Sequence, residues 1–195
     1  MTALRIAAVF WALLLAGVAR ADTADVTPSL VCSVQHAIRW RQPAWPDWMC
    51  LRVSDAVNNA AKKTGQRPRT ILAIAINESD LRPGAEHWYG QVKPGSSGDL
   101  GLMGIRCILG RDMLCSNGAL RGWKYPAAMA LENNVLLGAR ILANKRTLND
   151  YNGGEGYADR IRAISAALVG VRVQASSKRV RKLIEQILVA IARTS

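Results

Sequence analysis

One carboxylate stands out by its surroundings. Glu78 lies in residues 75–83, AINESDLRP, at the end of the apolar run ILAIAI that occupies residues 71–76. A charged carboxylate at the end of such a segment is costly unless it is paired, hydrogen-bonded or held protonated. Held protonated, it becomes a general acid at pH values where an ordinary glutamate, with a pKa of about 4.3, has already lost its proton. In a helix, Glu78 stands one turn beyond Ile74 and two beyond Ile71, on a single apolar stripe. Proton delivery to a leaving oxygen, as in glycosidic-bond cleavage, needs an acid of this kind. Ser79 follows directly, and the nearby acids are Asp80, Glu86 and Asp99. Other chemistries are poorly supplied. No GxSxG elbow is present, so a serine nucleophile is not expected. No CxxC spacing occurs and the two histidines, His36 and His87, lack helical partner positions, so neither a metal nor a cofactor is expected.

The elements that must position Glu78 read as mostly helical. A helix is expected from Pro46 to Lys63, stopping at Gly65. The next opens near Pro68, a favoured place for proline, and carries the apolar run to Glu78. Alternation in ILAIAI would also suit a strand, but two alanines, the proline start and the length favour a helix. Apolar residues all round it predict a central, buried position. Residues 80–101 hold Pro83, Gly84, Gly90, Pro94, Gly95, Ser96, Ser97 and Gly98, the composition of an irregular loop or short hairpin. Further helices are expected from Pro126 to about Lys145, after Gly156 through Ile161, Ile164 and Leu168, and from about Ser177 to Ala192.

The 195 residues suit one domain. Residues 1–21 read as a cleaved export signal: Arg5, an apolar run from Ile6 to Val18, then Ala19-Arg20-Ala21. That run is too short to span a bilayer, and no transmembrane segment is expected in residues 22–195. A periplasmic or secreted location follows, and with it a use for the four cysteines as disulfides. Three connectivities are possible; local closure favours Cys32 with Cys50 and Cys107 with Cys115. Net charge is +12, and removing Arg5 and Arg20 leaves 24 basic against 14 acidic residues, or +10. Anionic partners are favoured; nucleic acid is not, because the basic residues are scattered without a recognition motif.

Three short motifs follow one another: Glu78-Ser79, then Gly101-Leu102-Met103-Gly104-Ile105, then Tyr151-Asn152-Gly153-Gly154 with Tyr157-Ala158 beyond. Between the last two, Asn134 and Gly138 sit four apart on one helix face. In this order the motifs resemble the soluble lytic transglycosylases, relatives of goose-type lysozyme, over about residues 66–170. The resemblance implies a mainly α-helical, lysozyme-like single domain of the α+β lysozyme superfamily with a deep cleft. It implies cleavage of the β-1,4 bond between N-acetylmuramic acid and N-acetylglucosamine in the glycan strands of peptidoglycan, giving a 1,6-anhydro product. Glu78 would be the catalytic acid/base, and Ser79 would hydrogen-bond it or the substrate. Gly101, Leu102 and Met103 would floor the site beside the scissile sugar, while Tyr151 and Asn152 would face Glu78 from the opposite wall. The chain departs from the family pattern at Gly104, where glutamine is usual, and at Asp150, where alanine is usual. Two alternatives remain open: a hydrolase using Asp99 as second carboxylate, and a non-catalytic peptidoglycan-binding protein. A short exported domain of this type also resembles accessory enzymes that open the wall for secretion, conjugation or pilus machinery. It is expected to act as a monomer.

Overall fold

The structure, a computed structural model, describes residues 25–39, 43–116, 120–124, 127 and 130–170. It is mostly helical, with one small sheet. Helix α1 (Pro28–Ile38) opens on a proline behind Thr27, whose hydroxyl accepts the Leu30 amide at 3.2 Å. The reading from sequence did not include this helix. Helix α2 (Asp47–Thr64) ends at Gly65, whose N–H reaches Ala61 O at 2.8 Å. Helix α3 (Pro68–Ser79) again starts on proline, and Ile71, Leu72, Ala73, Ile74 and Ala75 are all fully buried. This is the central helix expected from its all-round apolarity: α6 packs on one part of it and α2 on another.

Beyond α3 the chain forms strands β1 (Glu86–Trp88), β2 (Ser97–Leu100) and β3 (Ile105–Ile108), an antiparallel sheet in the order β1-β2-β3. Glu86 lies opposite Leu100, and Leu100 opposite Ile105. The expected loop or hairpin is therefore two strands of a three-stranded sheet. The third strand follows the turn at residues 101–104. Helix α4 (Leu131–Ala143) follows Ala130, whose backbone (φ −55°, ψ 127°) interrupts helical continuity; Ala127 before it is also helical, and the Pro126 start expected from sequence lies outside the described residues. Helix α5 (Asn149–Asn152) is one short turn, so Tyr151 and Asn152 lie within a helix rather than between two. Helix α6 (Tyr157–Gly170) carries buried Ile161, Ile164 and Leu168.

Disulfides Cys32–Cys50 and Cys107–Cys115 tie α1 to α2 and β3 to the segment after it. Each such link typically contributes about 2–4 kcal/mol. Among the described residues, no helix is long and apolar enough to cross a membrane. The export signal and the helix expected from Ser177 to Ala192 lie outside the described residues.

Candidate active site

Glu78 is the penultimate residue of α3, and the backbone turns away at once: Asp80 is left-handed (φ 50°) and closes the helix on Ile76 O. The side chain is half-buried at the end of the Ile71–Ile74 stripe. Two neutral amides donate to the same oxygen, Oε1: Asn152 Nδ2 at 3.1 Å and Asn77 Nδ2 at 3.3 Å. Burial pushes the carboxyl above the usual glutamate range; the nearby Tyr157 hydroxyl and the Asn152 and Asn77 amides oppose that, and the negative field of Asp99 adds to it. With Oε1 taken up as an acceptor, Oε2 is the oxygen these amides leave free. That oxygen faces Gly104. A Cβ on residue 104 would lie 2.8 Å from Oε2 and 2.9 Å from Glu78 Cβ, and the backbone there is left-handed (φ 55°). The residue at which the chain departs from the family pattern is thus the one that leaves room for the acid.

The turn Gly101-Leu102-Met103-Gly104 is held from three helices. Ser79 of α3 places its hydroxyl 2.9 Å from Leu102 O and 2.8 Å from Ala75 O, and accepts the Arg82 amide at 3.2 Å. Asn134 of α4 is fully buried; its Oδ1 accepts the Met103 amide at 2.7 Å and its Nδ2 donates to Leu100 O at 2.9 Å. Tyr151 of α5 donates its hydroxyl to Met103 O at 3.0 Å. Gly101 is left-handed (φ 70°), and a Cβ there would overlap the Asn134 amide. Gly138 lies under Met103, where a Cβ would come within 2.7 Å of the methionine side chain. Leu102 and Met103 are themselves fully buried, so they support this turn from the core. The sequence reading singled out Asn134 and Gly138 by their spacing without assigning them to the site; the geometry makes them the turn's clamp and seat.

Tyr151 stacks on Tyr157, with ring centroids 6.2 Å apart and planes 12° from parallel. Burial raises both phenols far above their ordinary range, and the nearby Glu78 adds to this. Asp150 points elsewhere: its Oδ2 accepts the Thr147 amide at 2.8 Å and the residue is exposed. Its side chain closes a local turn before α5. Asn77 was missed from sequence, and its one signal was adjacency to Glu78.

Asp99 on β2 is differently placed. Its Oδ1 accepts Arg106 Nε at 2.6 Å and its Oδ2 accepts the Tyr89 hydroxyl at 2.6 Å. The Arg106 guanidinium also lies 4.8 Å from the Tyr89 ring centroid. Both carboxylate oxygens are therefore committed. Among the described residues, no group of three or more His, Cys, Asp or Glu side chains is placed to hold a metal ion.

The arrangement is one elevated carboxyl with one oxygen held by two amides, set against a clamped backbone turn and a tyrosine pair. A family model described as the transglycosylase SLT domain matches residues 55–167, from the middle of α2 almost to the end of α6. The match takes in Glu78, the turn at residues 101–104, Asn134 and the Tyr151-Asn152 pair. No curated protein and no solved structure matches the chain. With more than half of its residues inside that match, and the motif residues gathered around Glu78, this protein belongs to the transglycosylase SLT domain family.

Proposed function

We propose that this protein is a peptidoglycan lytic transglycosylase in which Glu78 is the single acid/base. It cleaves the β-1,4 bond between N-acetylmuramic acid and N-acetylglucosamine and leaves a 1,6-anhydro end. The observation that carries the reading is the contrast in ionisation partners. Glu78 is raised by burial and touched only by neutral donors, whereas the nearest alternative carboxylate, Asp99, is bound to Arg106 and Tyr89. An inverting hydrolase needs a second carboxylate free to activate water. A transglycosylase does not, because the sugar's own 6-hydroxyl is the nucleophile.

Glu78 Oε2 gives its proton to the glycosidic oxygen as the bond from the anomeric carbon breaks. The 6-hydroxyl oxygen then bonds to that carbon and its proton passes to Glu78, which restores the acid. Asn77 and Asn152 hold Oε1, so the same oxygen serves both transfers. Gly101, Leu102, Met103 and Gly104 form the floor through their backbone. Ser79, Asn134 and Tyr151 keep that floor at a constant height relative to Glu78. The sugars lie in a cleft between the turn and α5, and the basic surface favours an anionic wall polymer. Two disulfides fit an oxidising compartment, and the export signal read from sequence places the enzyme in the periplasm or outside the cell. Service to a secretion, conjugation or pilus machine fits a short exported wall-opening domain.

Mass analysis of purified peptidoglycan digested by residues 22–195, beside a Glu78→Gln control, tests the reading. Anhydromuropeptides that vanish in the control are expected. Ordinary reducing ends would make the enzyme a hydrolase. Absence of soluble products from folded protein would leave a wall-binding protein.

A further inference from the structure

The face of the sheet that looks away from the core carries a cation fixed in one orientation. Leu100 and Ile105, the pair nearest the turn at residues 101–104, are buried, so Asp99 and Arg106, the next pair across β2 and β3, lie on the opposite face. His87 of β1 stands opposite Asp99 in the same row. Arg106 Nε donates to Asp99 Oδ1 at 2.6 Å, and Nη2 reaches Asp99 Oδ2 and the Tyr89 hydroxyl at 3.4 Å each. The guanidinium carbon also lies 4.8 Å from the Tyr89 ring centroid. The His87 ring braces Tyr89 at a near-right angle, with centroids 5.0 Å apart. Exposed ion pairs add little to stability, and here the Arg106 side chain is 54 % exposed and Tyr89 53 %. What the contacts do is orient the guanidinium. Asp99 takes up its Nε–Nη2 edge, while Nη1 donates to nothing among the described residues. The outer edge, Nη1 with the second N–H of Nη2, is left as a fork of the kind that holds a carboxylate by two parallel hydrogen bonds. Chain connection sets this fork beside the acid. Arg106 is two residues, or about 7 Å of extended chain, from Gly104, where a Cβ would lie 2.8 Å from Glu78 Oε2.

We propose that the free edge of Arg106 docks a carboxylate of the peptide stem borne by the glycan strand, and so makes the enzyme selective for strands that carry their peptides. The proposal rests on the reading of the chain as a peptidoglycan-cleaving enzyme. A strand placed with its scissile bond at Glu78 runs beside the turn at residues 101–104, and each muramic acid in it bears a peptide through its lactyl ether. The amidated lactyl group and the N-acetyl sugars are neutral; the strand's carboxylates belong to the peptide. A guanidinium set just beyond the turn therefore senses the peptide, which the groups around Glu78 have no charge to read. Asp99 and Tyr89 act through Arg106: they fix its side chain in advance, so little freedom is lost when the carboxylate arrives. Docking makes and breaks hydrogen bonds only.

The test measures binding of short soluble glycan strands to residues 22–195 carrying Glu78→Gln, which leaves the ligand uncut. Three strands are compared: one with peptides intact, one with the peptide carboxylates converted to neutral amides, and one stripped by an amidase, which frees the lactyl carboxylate. Intact strands are expected to bind about 10-fold tighter than either of the others. Adding Arg106→Gln brings intact strands down to the level of the amidated ones and leaves the amidated ones unchanged. Arg106→Lys keeps the charge without the fork and retains less than a third of the preference; it also supplies the readout if the glutamine variant does not fold. A preference kept in full by either variant overturns the proposal. Stripped strands that bind as tightly as intact ones overturn it too, because the carboxylate recognised would then be the lactyl one. Products of the wild-type chain are read separately. Release of 1,6-anhydro ends without any carboxylate preference removes the docking point and leaves the enzyme. An Arg106-dependent preference in a chain that releases no glycan products sinks the transglycosylase reading and leaves the docking point.

Discussion

Two carboxylates a short distance apart have been given opposite environments. Glu78 closes a buried helix, touches two amides and, among the described residues, has no cationic partner; Asp99 lies on a sheet, held by a guanidinium and a phenol at 2.6 Å each. Desolvation without a counter-charge raises an acid, as at Glu78, whereas both oxygens of Asp99 are taken up by donors. The pair divides the labour that a hydrolase would ask of two free carboxylates. Asp99 contributes to the site through its field, which lifts Glu78 further.

The comparison breaks most visibly at Glu78. Glu78→Gln is expected to lower the rate of product release at least about 10³-fold, since the only proton donor is gone. The same change should stabilise the fold near neutral pH by about 1 kcal/mol, the usual direction at a strained functional group. The sign follows from linkage. A carboxyl raised in the folded state binds protons that the unfolded chain has released, so stability declines as pH climbs from the unfolded value through the raised one. Melting curves of the two proteins should therefore coincide at acid pH and separate as pH rises; curves that stay together would mean that Glu78 is not raised.

Gly104→Ala comes next. A methyl 2.8 Å from Oε2 forces the carboxyl aside, and a loss of about 10–100-fold in kcat is expected, with activity assays and melting run together to separate displacement from unfolding. The smallest effects belong to the sheet. Asp99→Asn removes the field that raises Glu78, so the alkaline limb of the pH–rate profile should move to lower pH with kcat retained near its optimum. If Asp99→Asn instead abolished activity as completely as Glu78→Gln, the two carboxylates would be partners and the enzyme a hydrolase.

Much of α3 was legible because local rules sufficed. Pro68 opens it, the residues from Ile71 to Ile76 bury it, and Glu78 falls on its stripe by simple periodicity. The short sheet was harder. Strands β2 and β3 have four residues each and are separated by a glycine turn, so neither shows a clear alternation of its own. The site's contacts were the least legible. Asn134 reaches Met103 across 31 residues, Tyr151 across 48, and Asn152 reaches Glu78 across 74. Residue types and motif order could mark these side chains, but nothing local says that Leu102 and Met103 face the core or that Asp150 turns away to the Thr147 amide.

The disulfides carry one more consequence. Each joins cysteines that are consecutive in the chain, Cys32 to Cys50 and Cys107 to Cys115. A polypeptide entering an oxidising space with its N-terminus first presents Cys32 and then Cys50 before either later cysteine appears, and the second pair arrives in the same way. Oxidation in order of arrival therefore yields the native pairing directly. In such a space the native pairs would form without reshuffling of wrong bonds, and the oxidation step itself would set the pace.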